Sequence, residues 1–144
     1  MAEAGPALSE ATMALLNART EEQYNEWKAN ATAEQKAKMA ENQGKMKNDE
    51  EFRNGIMAKV TKAWGDADSN GDGKLDLAEF TAFEGAMRAV READGEWFET
   101  DHAAANYAIM NSVSEGDGFT MAEMWACLKA WRAKFDAMRE ADGL

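Results

Sequence analysis

Residues 68–79, Asp-Ser-Asn-Gly-Asp-Gly-Lys-Leu-Asp-Leu-Ala-Glu, set oxygen-bearing side chains at the first, third, fifth, ninth and twelfth places of the segment. A calcium ion takes six to eight oxygen ligands, and a short chain supplies that many only by wrapping tightly around it. Asp68, Asn70 and Asp72 turn every second side chain toward one point, and Gly73 permits the sharp turn. Lys74 has no side-chain acceptor and offers its backbone carbonyl. Asp76 reaches the same point directly or through water, and Glu79 closes the shell with both carboxylate oxygens. Four acids against one lysine leave the empty loop at −3 and the calcium-filled loop at −1, so binding relieves repulsion. Asp, Asn and Gly are also ordinary turn formers. A turn alone does not call for Leu75 at the eighth place and Glu79 at the twelfth, between two helical stretches.

Those stretches are read from apolar spacing. Phe52, Ile56, Val60 and Trp64 recur every four residues and predict a helix over about 49–66. Phe80, Phe83, Met87 and Val90 continue the pattern to about 92. The segment resembles the EF-hand calcium loop and matches that pattern at every ligand position. Trp64 and Phe80 stand where that family typically carries core aromatics. The resemblance implies a helix–loop–helix calcium site with Asp68, Asn70, Asp72, Lys74, Asp76 and Glu79 as ligands, and magnesium as a competitor.

Ala93, Asp94 and Gly95 break the second helix. A further helix is expected from Glu96 or Thr100 to Met110, with Trp97, Phe98, Tyr107 and Met110 as its larger apolar residues. A last one is expected over about 121–139, carrying Met124, Leu128, Trp131, Phe135 and Met138. Between them, residues 111–123 resemble a second EF-hand loop that has decayed. Phe119 and Glu123 occupy the places of Leu75 and Glu79, but Ser112, Ser114 and Gly116 replace the first three ligands and Asp117 replaces the turn glycine. The step from Tyr107 to Met124 is also one residue longer than that from Trp64 to Phe80. Weak metal binding through Ser112, Ser114, Glu115, Asp117 and Glu123 stays open, but the preferred reading keeps this loop to pair with the first. EF-hands usually pair through an antiparallel contact between their eighth residues, which here would join Leu75 to Phe119.

In residues 1–48, Met13, Leu16, Tyr24 and Trp27 form a helical stripe, capped near Ser9 with Glu10 in its first turn. Residues 30–47 are polar and alanine-rich, with Met39 and Met46 as large apolar residues and Gly44 as an interruption. This arm packs on the pair through Leu16, Tyr24 and Trp27, forms a degenerate second lobe, or docks on another protein; the first reading is favoured because such stripes are more often core than interface. One proline, abundant alanine and many Glu, Lys and Met make the fold class all-α. The organisation is then an N-terminal helical arm (1–48) and a pair of hands (49–141), intact over 49–92 and degenerate over 96–141.

A chain of 144 residues with a net charge of −11 is a poor match for nucleic acid or an anionic membrane. A single cysteine, Cys127, excludes an internal disulfide framework and, among Met124, Leu128 and Trp131, suits a buried apolar role. No signal peptide, myristoylation signal or bilayer-length apolar stretch is present, so a cytoplasmic monomer is expected. His102 is the single histidine and is expected on an exposed face; no phosphate loop, dinucleotide fingerprint or nucleophile elbow appears, so no enzyme activity is expected. Ten methionines suit an adaptable surface. The expectation is a calcium sensor that binds a partner's amphipathic helix through Met57, Phe83, Met87, Met110, Met124, Leu128 and Trp131. The alternatives are a buffer resembling sarcoplasmic calcium-binding proteins or parvalbumin, and a structural subunit resembling myosin light chains.

Overall fold

Ser9, Thr32, Asp49, Asp76 and Thr120 each close an extended segment, accept a hydrogen bond from the backbone amide three residues on, and open a helix. Such caps satisfy amides that the first helical turn leaves without partners. The computed structural model describes residues 7–98, 102–113 and 116–144. Among them lie α1 (Glu10–Asn30), α2 (Ala33–Asn48), α3 (Glu50–Ala67), β1 (Lys74–Leu75), α4 (Leu77–Ala93), α5 (Ala103–Asn111), β2 (Phe119–Thr120) and α6 (Met121–Ala141). The chain is mostly helical, in keeping with the all-α expectation. No described helix is long and apolar enough to cross a membrane.

Two helix–loop–helix units, α3–β1–α4 and α5–β2–α6, meet where β1 pairs antiparallel with β2, placing Lys74 opposite Thr120 and Leu75 opposite Phe119. Both Leu75 and Phe119 are fully buried. Around them pack Trp64, Phe80, Phe83 and Met124, with Phe119 edge-on to Phe80 at 5.3 Å between ring centroids. The Tyr107 hydroxyl accepts a hydrogen bond from the Gly118 amide (2.9 Å) and holds the second loop onto this core.

Helix α1 lies against α5 and α6, and α2 lies against α3. A second aromatic core results: Tyr24, Trp27, Met39 and Phe135 are buried together, with Trp97 and Trp131 packed against them. Phe135 meets Tyr24 and Trp27 edge-on, each at 5.3 Å. Polar contacts fix the register of α1. Arg19 Nε donates to Asn106 Oδ1 (2.9 Å), Thr12 and Ser112 hydroxyls lie 2.8 Å apart, and His102 Nε2 lies 3.3 Å from Glu26 Oε2. At the C-terminus, the Tyr24 hydroxyl donates to the Asp142 carboxylate, which Lys28 also approaches at 3.0 Å.

Two expectations are corrected. Gly44 does not interrupt α2, which runs through it. A helical glycine costs only about 1 kcal/mol against alanine, and here the Thr32–Gln35 capping box and the burial of Met39, Asn42 and Gln43 on one face carry the helix past it. The helix expected from Glu96 or Thr100 begins instead at Ala103, and residues 99–101 lie outside the described ones. Glu96 to Phe98 are not helical. The buried Glu96 carboxylate receives Asn42 Nδ2 (2.6 Å) and Arg91 (3.3 Å), while Trp97 turns into the second core. Those tertiary contacts outweigh local propensity.

Gly118 has φ +94°, and a Cβ built there would meet the Leu75 carbonyl oxygen at 3.0 Å. Gly118→Ala is therefore expected to cost about 1–3 kcal/mol in urea unfolding. Gly55→Ala, on an exposed face of α3 with nothing within 4 Å, is expected to gain about 0.5–1 kcal/mol. The α1–C-terminus contact should depend on pH at both ends. The hydrogen bond from Tyr24, and after it Lys28, holds Asp142 below the usual carboxylate range. Burial, and after it the bond to Asp142, pushes Tyr24 up to about 12. The Asp142 contribution is then present above the unfolded aspartate value of about 3.9 and lost as pH falls below it. The Tyr24 contribution is present below about 10 and lost as pH rises through its folded value. Asp142→Asn should lower the urea midpoint at neutral pH, and the gap to the parent chain should close below about pH 4.

Candidate functional site

Helix α3 ends at Ala67, and the Asp68 amide still closes the last turn on the Trp64 carbonyl (2.8 Å). From there the loop is folded by its own side-chain oxygens. Asp68 Oδ2 accepts from the Gly73 amide (3.0 Å), Asn70 Oδ1 from the Asp72 amide (3.2 Å), and Asp72 Oδ1 from the Lys74 amide (3.0 Å). Gly73 at φ +80° makes the reversal that brings its amide back under Asp68. Lys74 then enters β1 opposite Thr120.

Glu79 sits in the first turn of α4, where Asp76 is the N-cap. Glu79 Oε1 accepts from the Asp76 amide (3.1 Å) and Asp76 Oδ1 from the Glu79 amide (2.9 Å). This reciprocal capping box points the Glu79 carboxylate back across the loop. Its Oε2 accepts from the Ser69 amide (3.1 Å) and hydroxyl (3.2 Å). Carboxylate oxygens of Asp68, Asp72 and Glu79 thereby lie within 4.8 Å of one another. Like charges at that separation repel by about 1 kcal/mol even at the dielectric of water.

Asp68 Oδ1 is buried and has no hydrogen-bond partner. An ionised oxygen in that state is costly unless a cation or donor meets it. With Asp72 and Glu79, Asp68 makes a group of three hard carboxylate donors that matches a calcium-type donor set. Of the six sequence candidates, Asp68, Asp72 and Glu79 converge, and Asn70 braces the turn. Asp76 caps α4, and Lys74 lies in the strand pair. Ser69, which anchors Glu79, was not singled out from the sequence, because it falls between the alternating oxygen-bearing places of Asp68, Asn70 and Asp72. The Asp76–Glu79 box was legible as an acid three residues before a glutamate.

The second loop does not assemble a comparable group among the described residues. The Ser112 hydroxyl is taken by Thr12 (2.8 Å) and by the Ile109 carbonyl (2.6 Å). Asp117 is exposed, and Glu123 caps α6 by accepting from the Thr120 amide (2.7 Å). Ser114 and Glu115 lie outside the described residues.

Of the candidate partner-binding residues, Phe83 and Met124 are buried in the first core, with Met87, Met110 and Leu128 packed against it. Together with Trp131 they line a groove of about 150 Å³ walled by α2, α3, α4 and α6, with Met110 of α5 at its edge. Met57 is half-buried on α3 and lies off this groove. Met46, Phe52, Ile56 and Trp125 also line it and are not among the partner-binding residues expected from the sequence. Burial, and after it the charge of Glu123, pushes the Cys127 thiol up to about 11. Cys127 is thus a packing group at neutral pH, not a thiolate. No family model matches the chain, nor does any curated protein or solved structure.

Proposed function

We propose that this chain is a calcium-binding protein of the EF-hand kind, with one working loop at residues 68–79, and that it acts as a sensor. The observation that carries the reading is the convergence of Asp68, Asp72 and Glu79 within 4.8 Å, beside a buried Asp68 oxygen that no protein donor meets. Those three side chains would hold the ion, which would supply charge neutralisation where three carboxylates now repel. Asn70, the Lys74 carbonyl and Asp76 lie on the same loop and complete the proposed shell. Magnesium is the expected competitor, since it also takes oxygen donors but tolerates less irregular geometry.

The sensor reading draws on the groove beside α4. Glu79 and the groove residues Phe83 and Met87 belong to one helix, so a pull on the carboxylate is a pull on that wall. An amphipathic helix of a partner protein is the proposed occupant. A specific observation favours the buffer alternative: α1 and α2 already pack over the two helix–loop–helix units, burying Tyr24, Trp27 and Met39. In that case calcium stabilises the chain without exposing apolar surface. The reading places the chain in the cytoplasm as a monomer and assigns it no catalysis.

Isothermal titration of the parent chain should give one calcium per chain, and Glu79→Gln should lose both that heat and any calcium-dependent tryptophan fluorescence change. A tight site surviving in Glu79→Gln would remove this loop from the assignment. At about 100 times the dissociation constant, calcium should stabilise the parent by ~2.7 kcal/mol against urea. Uptake of a hydrophobic dye on adding calcium would select the sensor, and stabilisation without uptake the buffer.

A further inference from the structure

The groove beside α4 has a charged end. Arg91 stands in the last turn of α4, Arg132 follows Trp131 on α6, and Glu84, Asp94 and Glu96 also reach the wall. The chain itself engages the three carboxylates. Glu84 Oε2 accepts from Asn106 Nδ2 (2.8 Å), Glu96 receives Asn42 (2.6 Å) and Arg91 (3.3 Å), and Asp94 lies near Lys38. Arg132 is different. It is half-buried, and its Nε is buried without an acceptor. Its η nitrogens, which keep accessible surface, make no hydrogen bond or ion pair among the described residues. Asp136 and Glu96 attract it without pairing, whereas burial, and after it the Arg91 charge, holds the guanidinium below its usual value. A half-dry charge with five donors and no partner is costly.

We propose that the partner helix docked in this groove carries a glutamate or aspartate at one end of its apolar stripe, and that this carboxylate seats on Arg132 beside Arg91. The inference rests on the helix-docking reading of the groove and adds the partner's chemistry to it. Charge complementarity sets that chemistry, because the wall's carboxylates are engaged and the charge left for an occupant is positive. A guanidinium donates to a carboxylate through two parallel bonds, which fixes the direction of approach as well as the charge. An anion there also offsets the repulsion between Arg91 and Arg132. The seat is remote from the carboxylate loop: Glu79 and Arg91 lie at opposite ends of α4, about 18 Å apart along the helix. Long-range attraction to a chain of net charge −11 would select the reverse, a basic partner. The two rules therefore rank the same set of partners oppositely.

The probes are labelled, alanine-based helical peptides of about 18 residues with a leucine stripe. They differ in carrying Glu, Gln or Lys beside the last leucine, and that place is moved through each flanking register in turn. Binding to the full chain is read by fluorescence anisotropy, with calcium saturating and again with it chelated. In the best register the Glu peptide should bind about tenfold tighter than the Gln peptide, the worth of one charge-assisted hydrogen bond, and the Lys peptide should be weakest. That ranking needs no variant. Arg132→Gln should bring the Glu-to-Gln ratio to about one, and Arg132→Glu should favour the Lys peptide. If peptides bind but Glu never outranks Gln, or its advantage survives in Arg132→Gln, the acid seat is overturned and helix docking stands. If no peptide binds in either condition, helix docking itself fails and the seat falls with it.

Discussion

The antiparallel contact between Leu75 and Phe119 is the constraint on which the two loops depend. Each strand is two residues long, and a two-stranded ribbon of that size is unstable in water by itself. It persists because both side chains are fully buried among Trp64, Phe80 and Met124, so the ladder and the core hold each other. Lys74 is thereby pinned midway along the carboxylate loop, opposite Thr120. The same contact explains a second loop without a ligand set. Phe119 supplies the buried face, and Gly118 supplies the close approach to Leu75, whatever happens to Ser112 or Asp117.

The 68–79 loop was legible because its requirements are local. Alternating oxygens, a turn glycine and an acid at each end of the Asp76–Glu79 capping box are all written within twelve residues. The pairing of Leu75 with Phe119 was legible because the two loops could be laid over each other by their shared eighth and twelfth places. Docking of α1 was legible only as an apolar stripe of Leu16, Tyr24 and Trp27. Its register is set by Arg19 with Asn106, 87 residues apart, and by Thr12 with Ser112, 100 residues apart. Single polar pairs at such separations leave no period in a sequence. Ser112 was read as a candidate ligand for that reason, when its hydroxyl is a tether for α1. Of the two helix starts the sequence offers, Glu96 fails: Glu, Trp and Phe tolerate helix well, while the partners that hold residues 96–98, Asn42 of α2 and an aromatic core drawn from α1, α2 and α6, are distant in the chain.

Helix α4 joins the two halves of the molecule physically. Its first turn carries Glu79, tied to Ser69 and Asp76; its middle carries Phe80 and Phe83 of the first core. Glu84, on the same helix, holds Asn106 of α5, and Asn106 holds Arg19 of α1. A contiguous run of contacts therefore links the carboxylate loop to the N-terminal arm. Contiguity alone carries no coupling, which requires an element with two arrangements whose balance both ends bias. In the proposed sensor α4 is that element, because the loop grips one end and the arm, through Asn106, grips its side. The strength of the Asn106 contacts then sets the outcome. If they hold α4 against the pull of Glu79, the chain binds its ion and stays shut, as a buffer does; if they yield, the groove beside Met87 opens and the arm is released with it.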